Sequence, residues 1–322
     1  MSRLKNCISS AAVIVSLLSL GAQTGGAQSR QSGGTTPLPR TPWGDPDLQG
    51  TWPGGAVFSV PFERPPELGS RATLSPEEVV KRNAQIDTQL AGVNGVANFW
   101  PELGHAPAIT SLVVEPENGR LPPLTADGAR RANDWRVRAD PNYPAPSAAD
   151  LRPYDRCISR GVLGSAFPNQ YGSGMQIHQS PGFVVIRHEM IHEARIIPLD
   201  RRAHVSPAIQ SYMGDPRGRW EGDTLVVETT NFNGRTGSYA RNGDGNPTST
   251  SLKLIERFRL RDAGTLLYEV LIEDPQTFVR PWKVAFPIAR DEKYLLYEYA
   301  CHEGNYAIAN ILRAARAAER AK

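Results

Sequence analysis

Residues 252–286 read LKLIERFRLRDAGTLLYEVLIEDPQTFVRPWKVAF, and their pattern decides the fold class. Over residues 252–261 apolar side chains alternate with charged ones, which is typical of a β-strand with one buried face. Turn signals follow at residues 261–264 and 274–276, and each leads into another alternating segment. The stretch therefore predicts three consecutive antiparallel strands joined by short turns.

The same pattern continues on both sides of this stretch. Alternating segments at residues 183–198, 217–220, 224–232 and 293–301 bring the number of predicted strands to at least seven, without helical crossovers. An open sheet of this length would expose an apolar face and two edges, so closure into a barrel or a sandwich is favoured. We predict a mainly β protein in which residues 175–322 form an antiparallel meander, closed into a lipocalin-like barrel, with a short C-terminal helix.

Residues 41–174 are predicted to form an irregular and helical wrap that belongs to the same structural unit. The segment Ser75-Pro76-Glu77-Glu78 is a capping box with proline at the first helical position, and it predicts a helix that extends to about Leu90. A second helix is expected after Thr125, as far as Arg136.

The N-terminus has the pattern of a secretory signal peptide. Arg3 and Lys5 precede an apolar stretch over residues 8–20, and small residues follow up to Ala27. The apolar stretch is too short to span a bilayer, so we expect removal of residues 1–27 and a periplasmic or secreted protein. Residues 28–40 are rich in Gly, Ser, Thr, Gln and Pro and are expected to form a disordered tether.

Two cysteines, Cys157 and Cys301, remain after removal of the signal peptide, because Cys7 lies within it. In an oxidising compartment the simplest expectation is one disulfide, which would close a loop of 144 residues. A pair of buried free thiols is the alternative.

The charge of the mature chain is close to neutral. Without Arg3 and Lys5, 34 of the 36 basic residues remain against 33 acidic ones, and the two signs are interspersed. This balance gives no reason to expect a nucleic-acid partner or an anionic membrane surface. No later segment is apolar enough for membrane insertion, and the oligomeric state stays open.

Residues 188–192 read His-Glu-Met-Ile-His, the spacing found in zinc peptidases. On a helix, residues i and i+4 share a face, so both imidazoles could reach one Zn²⁺. The β-branched neighbours favour a strand instead, on which the two His Cα atoms would lie roughly 13 Å apart. We therefore expect no cofactor; a zinc-dependent hydrolase that uses His188, Glu189 and His192 is the alternative.

Strand alternation places several polar and ionisable side chains among apolar ones. The candidates for acid–base catalysis are His188, His192, Glu256, Glu298 and His302, and the candidates for ligand contact are Tyr268, Arg280, Trp282 and Tyr294. Burial raises the pKa of a carboxyl group and lowers that of an imidazole, so together they suit proton transfer near neutrality. The alternative is structural, with Arg280 paired to Glu256 or Glu298 and the histidines bonded to backbone carbonyls.

The chain resembles a family of uncharacterised secreted bacterial proteins. The resemblance rests on PWGDPDLQGTW at residues 42–52, NGRLPPLT at 118–125, GRWEGDTLVV at 218–227 and YEYACHEGNY at 297–306. It spans nearly the whole mature chain and implies no particular activity. The Gly-x-Trp-x-Gly-Asp-x-Leu hairpin at residues 218–225 is also similar to that of lipocalin-like barrels, a likeness of architecture only.

These observations predict an exported protein that binds an apolar or aromatic small molecule inside the barrel. Its acid–base groups are also suited to lyase, hydratase or isomerase chemistry. Zinc-dependent hydrolysis is one alternative. A non-enzymatic interaction module of the cell envelope, with a fully packed barrel, is the other.

Overall fold

A computed structural model of the protein describes residues 37–92, 104–140, 143–169, 171–237 and 246–321. The predicted signal peptide and most of the predicted tether lie outside the described residues. Leu38 packs against the core and Arg40 forms an ion pair with Asp223, so the packed chain already includes the end of the predicted tether. Within these ranges no helix is long and apolar enough to cross a membrane.

The described residues form ten strands and four α-helices, so the mainly β prediction is confirmed. The strands are β1 (Gly50–Pro53), β2 (Val113–Glu115), β3 (Gly174–Ser180), β4 (Phe183–His188), β5 (Ala194–Pro198), β6 (Asp215–Glu221), β7 (Thr224–Thr230), β8 (Lys253–Asp262), β9 (Thr265–Glu273) and β10 (Trp282–Ala289). The helices are α1 (Pro76–Gly92), α2 (Ala126–Ala139), α3 (Gly161–Ala166) and α4 (Ala307–Arg320).

The strands form two antiparallel sheets. One has the order β1-β3-β4-β5, and the other has the order β2-β10-β9-β8-β7-β6. Strand β5 lies near β6 and β1 lies near β10, and residues of both sheets share one hydrophobic core. In the part of the chain that the structure describes, no hydrogen-bonded ladder joins the two sheets. The predicted closed barrel was therefore wrong, and the two sheets enclose the core as separate layers.

The alternation that predicted the central strands is visible in their burial. Along β8, β9 and β10 every second side chain is buried, with Phe258, Tyr268 and Phe286 on the inner face. Their rings pack in sequence, with centroids 5.1 and 5.3 Å apart. Because apolar area removed from water stabilises a fold in proportion to its size, this face fixes the register of the larger sheet.

The predicted last strand, residues 293–301, does not form. Strand β10 pairs with β9 on one side and with β2 on the other. The edge on which a strand after β10 would add is therefore already occupied by Val113–Glu115, a strand from the N-terminal wrap. As a result, residues 293–301 leave the sheet and run over the surface.

The helices begin where the sequence signals placed them. In α1 the Ser75 hydroxyl accepts from the Glu78 amide at 3.3 Å, and the Glu78 carboxylate accepts from the Ser75 amide at 2.8 Å. In α2 the Thr125 hydroxyl accepts from the Gly128 amide at 2.9 Å. These bonds satisfy amide groups that a helix N-terminus leaves open, which explains why local sequence predicted both starts.

Candidate functional site

The His-Glu-Met-Ile-His motif lies at the turn of a β-hairpin. Strand β4 ends at His188, β5 begins at Ala194, and the two pair antiparallel. Met190–His192 form a short 3₁₀ turn, in which Ile191 and His192 have positive φ values of 59° and 45°. The expected single strand over residues 183–198 was therefore wrong, and the helix that a zinc peptidase uses does not form at this segment either.

The turn separates the two histidines of the motif. His188 is 2 % exposed, whereas His192 points to solvent. The prediction that both share an inward face was wrong for His192, because the positive φ values end the strand alternation before that residue is reached. Among the described residues there is no group of three or more His, Cys, Asp or Glu that could hold a metal ion.

Glu189, the glutamate of the motif, forms hydrogen bonds with the C-terminal segment. The buried Glu189 carboxylate accepts a hydrogen bond from the Tyr294 hydroxyl at 2.5 Å and another from the Tyr297 amide at 3.2 Å. Tyr294, predicted to contact a ligand, is thus occupied in joining the C-terminal segment to the β4–β5 turn.

The turn also brings Arg195 into the interior, where it pairs with Glu256. Arg195 Nη1 donates to Glu256 Oε1 at 2.9 Å, and Nη2 donates to Oε2 of the same carboxylate. Nη2 also donates to the Thr229 hydroxyl at 3.2 Å, and the Tyr268 hydroxyl donates to Glu256 Oε1 at 3.1 Å. We call these four residues and the adjacent His188 the interior network.

Arg280, which the sequence suggested as a partner of Glu256, does not lie in the interior. Arg280 is exposed, because β10 begins only at Trp282 and Arg280 lies in the irregular segment between the turn at residues 275–277 and that strand. The interior position of Arg280 was therefore predicted wrongly. Trp282 is buried as expected, but its ring packs against Phe62 and Phe278 at centroid distances of 6.1 and 5.5 Å and so forms part of the core.

Three buried members of the interior network, His188, Tyr268 and Arg195, have shifted pKa values. Burial, together with the nearby charges of Arg195 and Arg160, lowers the pKa of His188 to about 3. Burial raises the pKa of Tyr268 well above its ordinary value, with the Glu256 charge acting in the same direction. Burial opposes the charge of Arg195, but its bonds to Glu256 outweigh this and raise its pKa. The network is an ion pair between Arg195 and Glu256 with three neutral neighbours, His188, Tyr268 and Thr229, which is a structural arrangement.

The space beside this network is too small for an organic ligand. His188, Arg195, Glu256 and Tyr268 line an enclosed volume of about 10 Å³. This is about the space that one water molecule requires, whereas pockets for small molecules are typically about 300–1,000 Å³. The ligand site that the sequence placed among these residues is not formed there.

The low pKa of His188 predicts a specific dependence of stability on pH. Its folded pKa lies below its ordinary value of 6.5, so the unfolded chain takes up this proton first as the pH falls. The stabilisation is complete above about pH 6.5 and is lost toward pH 3, with a slope of up to about 1.4 kcal/mol per pH unit. We expect His188→Gln to flatten the unfolding free energy between pH 6.5 and 4.5, as measured by urea denaturation. The matched control is His178→Gln, at an exposed histidine of β3, and equal slopes for the two variants would contradict the assignment.

A larger concavity lies on the surface beside the disulfide. Cys157 and Cys301 are bonded, with Cα atoms 5.7 Å apart, so the disulfide prediction is confirmed. Next to this bond, the end of α2, residues 151–155, residues 298–305 and the first turns of α4 enclose an open cleft of about 600 Å³. We call it the disulfide cleft.

Aromatic and apolar side chains line much of the disulfide cleft. The Tyr154 and Tyr299 hydroxyls lie 3.4 Å apart, and the Arg160 guanidinium lies 5.0 Å from the centroid of the Tyr154 ring. Burial raises the pKa of Tyr154, and its hydrogen bond to Tyr299 does the same, so this phenol is protonated at neutral pH. Leu151 and Ile311 add apolar surface.

Of the predicted catalytic residues, Glu298 lines the disulfide cleft and His302 does not. Both side chains are exposed, so their predicted place in a closed interior was wrong. The physical reason is the missing final strand, since without it no alternating face turns them inward.

Tyr154 and Tyr299 were missed by the sequence analysis, although a signal for them was present. Tyr154 lies three residues before Cys157, and Tyr299 lies two residues before Cys301. Once those cysteines are paired, the aromatic residues beside them must be near each other. The predicted disulfide therefore already indicated where the cleft lies.

Comparison of the chain with protein-family models, with curated proteins and with solved structures finds no match.

Proposed function

We propose that this is an exported protein that binds an apolar or aromatic small molecule in the disulfide cleft. The observation that carries the proposal is the combination of a volume of about 600 Å³ with two hydrogen-bonded tyrosines, Tyr154 and Tyr299, and the apolar side chains of Leu151 and Ile311. Aromatic rings supply large contact areas at low entropic cost, and fixed hydroxyls can orient a polar group of the ligand.

Binding is supported better than catalysis. As far as the structure describes it, the cleft lining contains carboxylates and arginines but no histidine. The buried groups with strongly shifted pKa values, His188 and Tyr268, belong to the interior network. A general acid or base must reach the proton that it transfers, and the interior network has room only for about one water molecule. Of the acid–base residues predicted from the sequence, Glu298 remains a candidate, because it lines the cleft.

Export is the second part of the proposal. The basic and apolar N-terminus has the pattern of a signal peptide, and a disulfide persists in oxidising compartments such as the periplasm. The two features are independent of each other and support the same location.

Titration of the mature protein with the fluorescent dye Nile red tests the binding proposal. We expect saturable binding that Tyr299→Ala weakens by about tenfold or more, because the variant removes aromatic area from the cleft. Tyr297→Ala is the matched control: its side chain is 68 % exposed and lies outside the cleft, while its amide bond to Glu189 is retained. The melting temperatures of both variants should be recorded to show that they are folded.

Equal dye affinity in the two tyrosine variants, or no saturable binding by the wild-type protein, would contradict the proposal. The interaction module of the cell envelope would then be preferred. One observation favours that alternative, namely the exposure of Leu295, Tyr297 and Tyr306 along the C-terminal segment. Exposed apolar side chains that are grouped along one segment are typical of protein-binding surfaces.

A further inference from the structure

A second pocket of about 540 Å³ lies beside the disulfide cleft and shares Arg138, Leu151 and Arg152 with it. Its walls come from α2, from residues 149–156 and from the chain around Tyr212, Arg235 and Pro247. The lining carries five arginines against two aspartates: Arg131, Arg138, Arg152, Arg156 and Arg235 against Asp134 and Asp150. We call it the arginine pocket.

Three of these arginines have acidic partners. Arg131 pairs with Asp127. Arg138 lies 3.5 Å from Asp150, and Arg152 lies 2.8 Å from Asp155. The charges of these three guanidinium groups are therefore already balanced by carboxylates, and the three side chains form part of the pocket wall.

The other two, Arg156 and Arg235, make no side-chain hydrogen bond or ion pair within the described ranges; Arg156 is half-buried and Arg235 is exposed. Partly buried charges are rarely kept without a partner, because desolvation costs free energy that only an opposite charge or a hydrogen bond offsets. The half-buried Arg156 is therefore a candidate partner for an anion from outside the chain, and the exposed Arg235 adds a second unpaired guanidinium to the same pocket wall.

Two aromatic residues complete the pocket. Trp135 and Tyr212 belong to the same lining. A planar ring can stack on an indole or a phenol, and a guanidinium matches a carboxylate or a phosphate with two parallel hydrogen bonds. Asp134 is also without a side-chain partner among the described residues, and it can accept a hydrogen bond from a hydroxyl or amino group of a ligand.

We propose that the arginine pocket binds a small organic oxyanion, a ring that carries a carboxylate or a phosphate, through Arg156 and Arg235. The inference is independent of the function proposed for the disulfide cleft, because neither arginine lines that cleft. Trp135 and Tyr212 provide the contact surface for the ring.

Isothermal titration calorimetry of the mature protein with benzoate, with phenyl phosphate and with the neutral analogue benzyl alcohol tests this inference. We expect the preferred anion to bind at least about tenfold more tightly than the alcohol, because hydrogen bonds to charged groups are the stronger ones. The preference between the two anions identifies the acidic group that the pocket accepts.

Substitutions identify the residues responsible. Arg156→Gln and Arg235→Gln should each weaken binding of the preferred anion by about ten- to hundredfold and leave affinity for Nile red unchanged. The matched control is Arg136→Gln, since Arg136 is an exposed arginine on the same helix as Trp135 and lies outside the pocket. The proposal is overturned if none of the three compounds binds, if the alcohol binds as tightly as both anions, or if both pocket variants behave like the control.

Discussion

Replacement of Glu256 by alanine should lower the free energy of unfolding by about 3–5 kcal/mol. Glu256 is 0 % exposed, and its carboxylate receives two hydrogen bonds from Arg195 and one from the Tyr268 hydroxyl. The variant leaves the Arg195 guanidinium charged in a side chain that is 1 % exposed, with the Thr229 hydroxyl as its one remaining side-chain partner among the described residues. Urea denaturation followed by circular dichroism measures the effect.

Two further variants show whether the loss comes from an unpaired buried charge. Glu221→Ala removes a carboxylate of the outer surface that pairs with Arg219 and Arg257, and it should cost about 1 kcal/mol or less. The double variant Arg195→Met, Glu256→Leu removes both buried charges and should recover most of the stability that Glu256→Ala loses. A Glu256→Ala variant as stable as Glu221→Ala would show that the pair is not buried as described.

Loss of the disulfide is the second large effect. In the chain-entropy model, a bond that closes a loop of 144 residues stabilises the folded state by about 5 kcal/mol, because it restricts the unfolded chain. We expect the double variant Cys157→Ser, Cys301→Ser to lose about this amount, as measured by urea denaturation. Reduction of the wild-type protein with dithiothreitol should produce the same loss.

The disulfide should also matter for the proposed binding, because Cys301 lines the disulfide cleft. Without the bond, the segment that carries Glu298 and Tyr299 keeps fewer attachments, among them the bonds of Glu189 to Tyr294 and Tyr297. We expect weaker Nile red binding by the double serine variant at temperatures where it is still folded. Two free thiols in the non-reduced mature protein, detected by mass spectrometry, would contradict the disulfide itself.

The sequence predicted those elements whose signals are local. Caps at Ser75 and Thr125 located the starts of α1 and α2, and period-two alternation located β8 and β9. A capping hydroxyl acts within three residues, and alternation follows from the geometry of a single strand. Neither signal depends on contacts with the rest of the chain.

The candidate site was predicted less well, because its position depends on where each strand ends. Two residues of positive φ, Ile191 and His192, interrupt the alternation and reverse the chain. Uninterrupted alternation from His188 would place Arg195 on the outer face, but after this interruption Arg195 is buried against Glu256. When the alternation shifts by one residue, every later side chain moves to the opposite face of the sheet. A run of β-branched residues does not predict such a shift.

The sequence by itself determined the mainly β class, the starts of the helices, the pairing of Cys157 with Cys301 and the inward position of Glu256. Only the tertiary structure decided that two sheets form in place of a barrel, because β2 of the N-terminal wrap pairs with β10. Pairing between segments about 170 residues apart depends on competition for a sheet edge, which no local pattern encodes. The same competition displaced residues 293–301 from the sheet and thereby formed the cleft beside the disulfide.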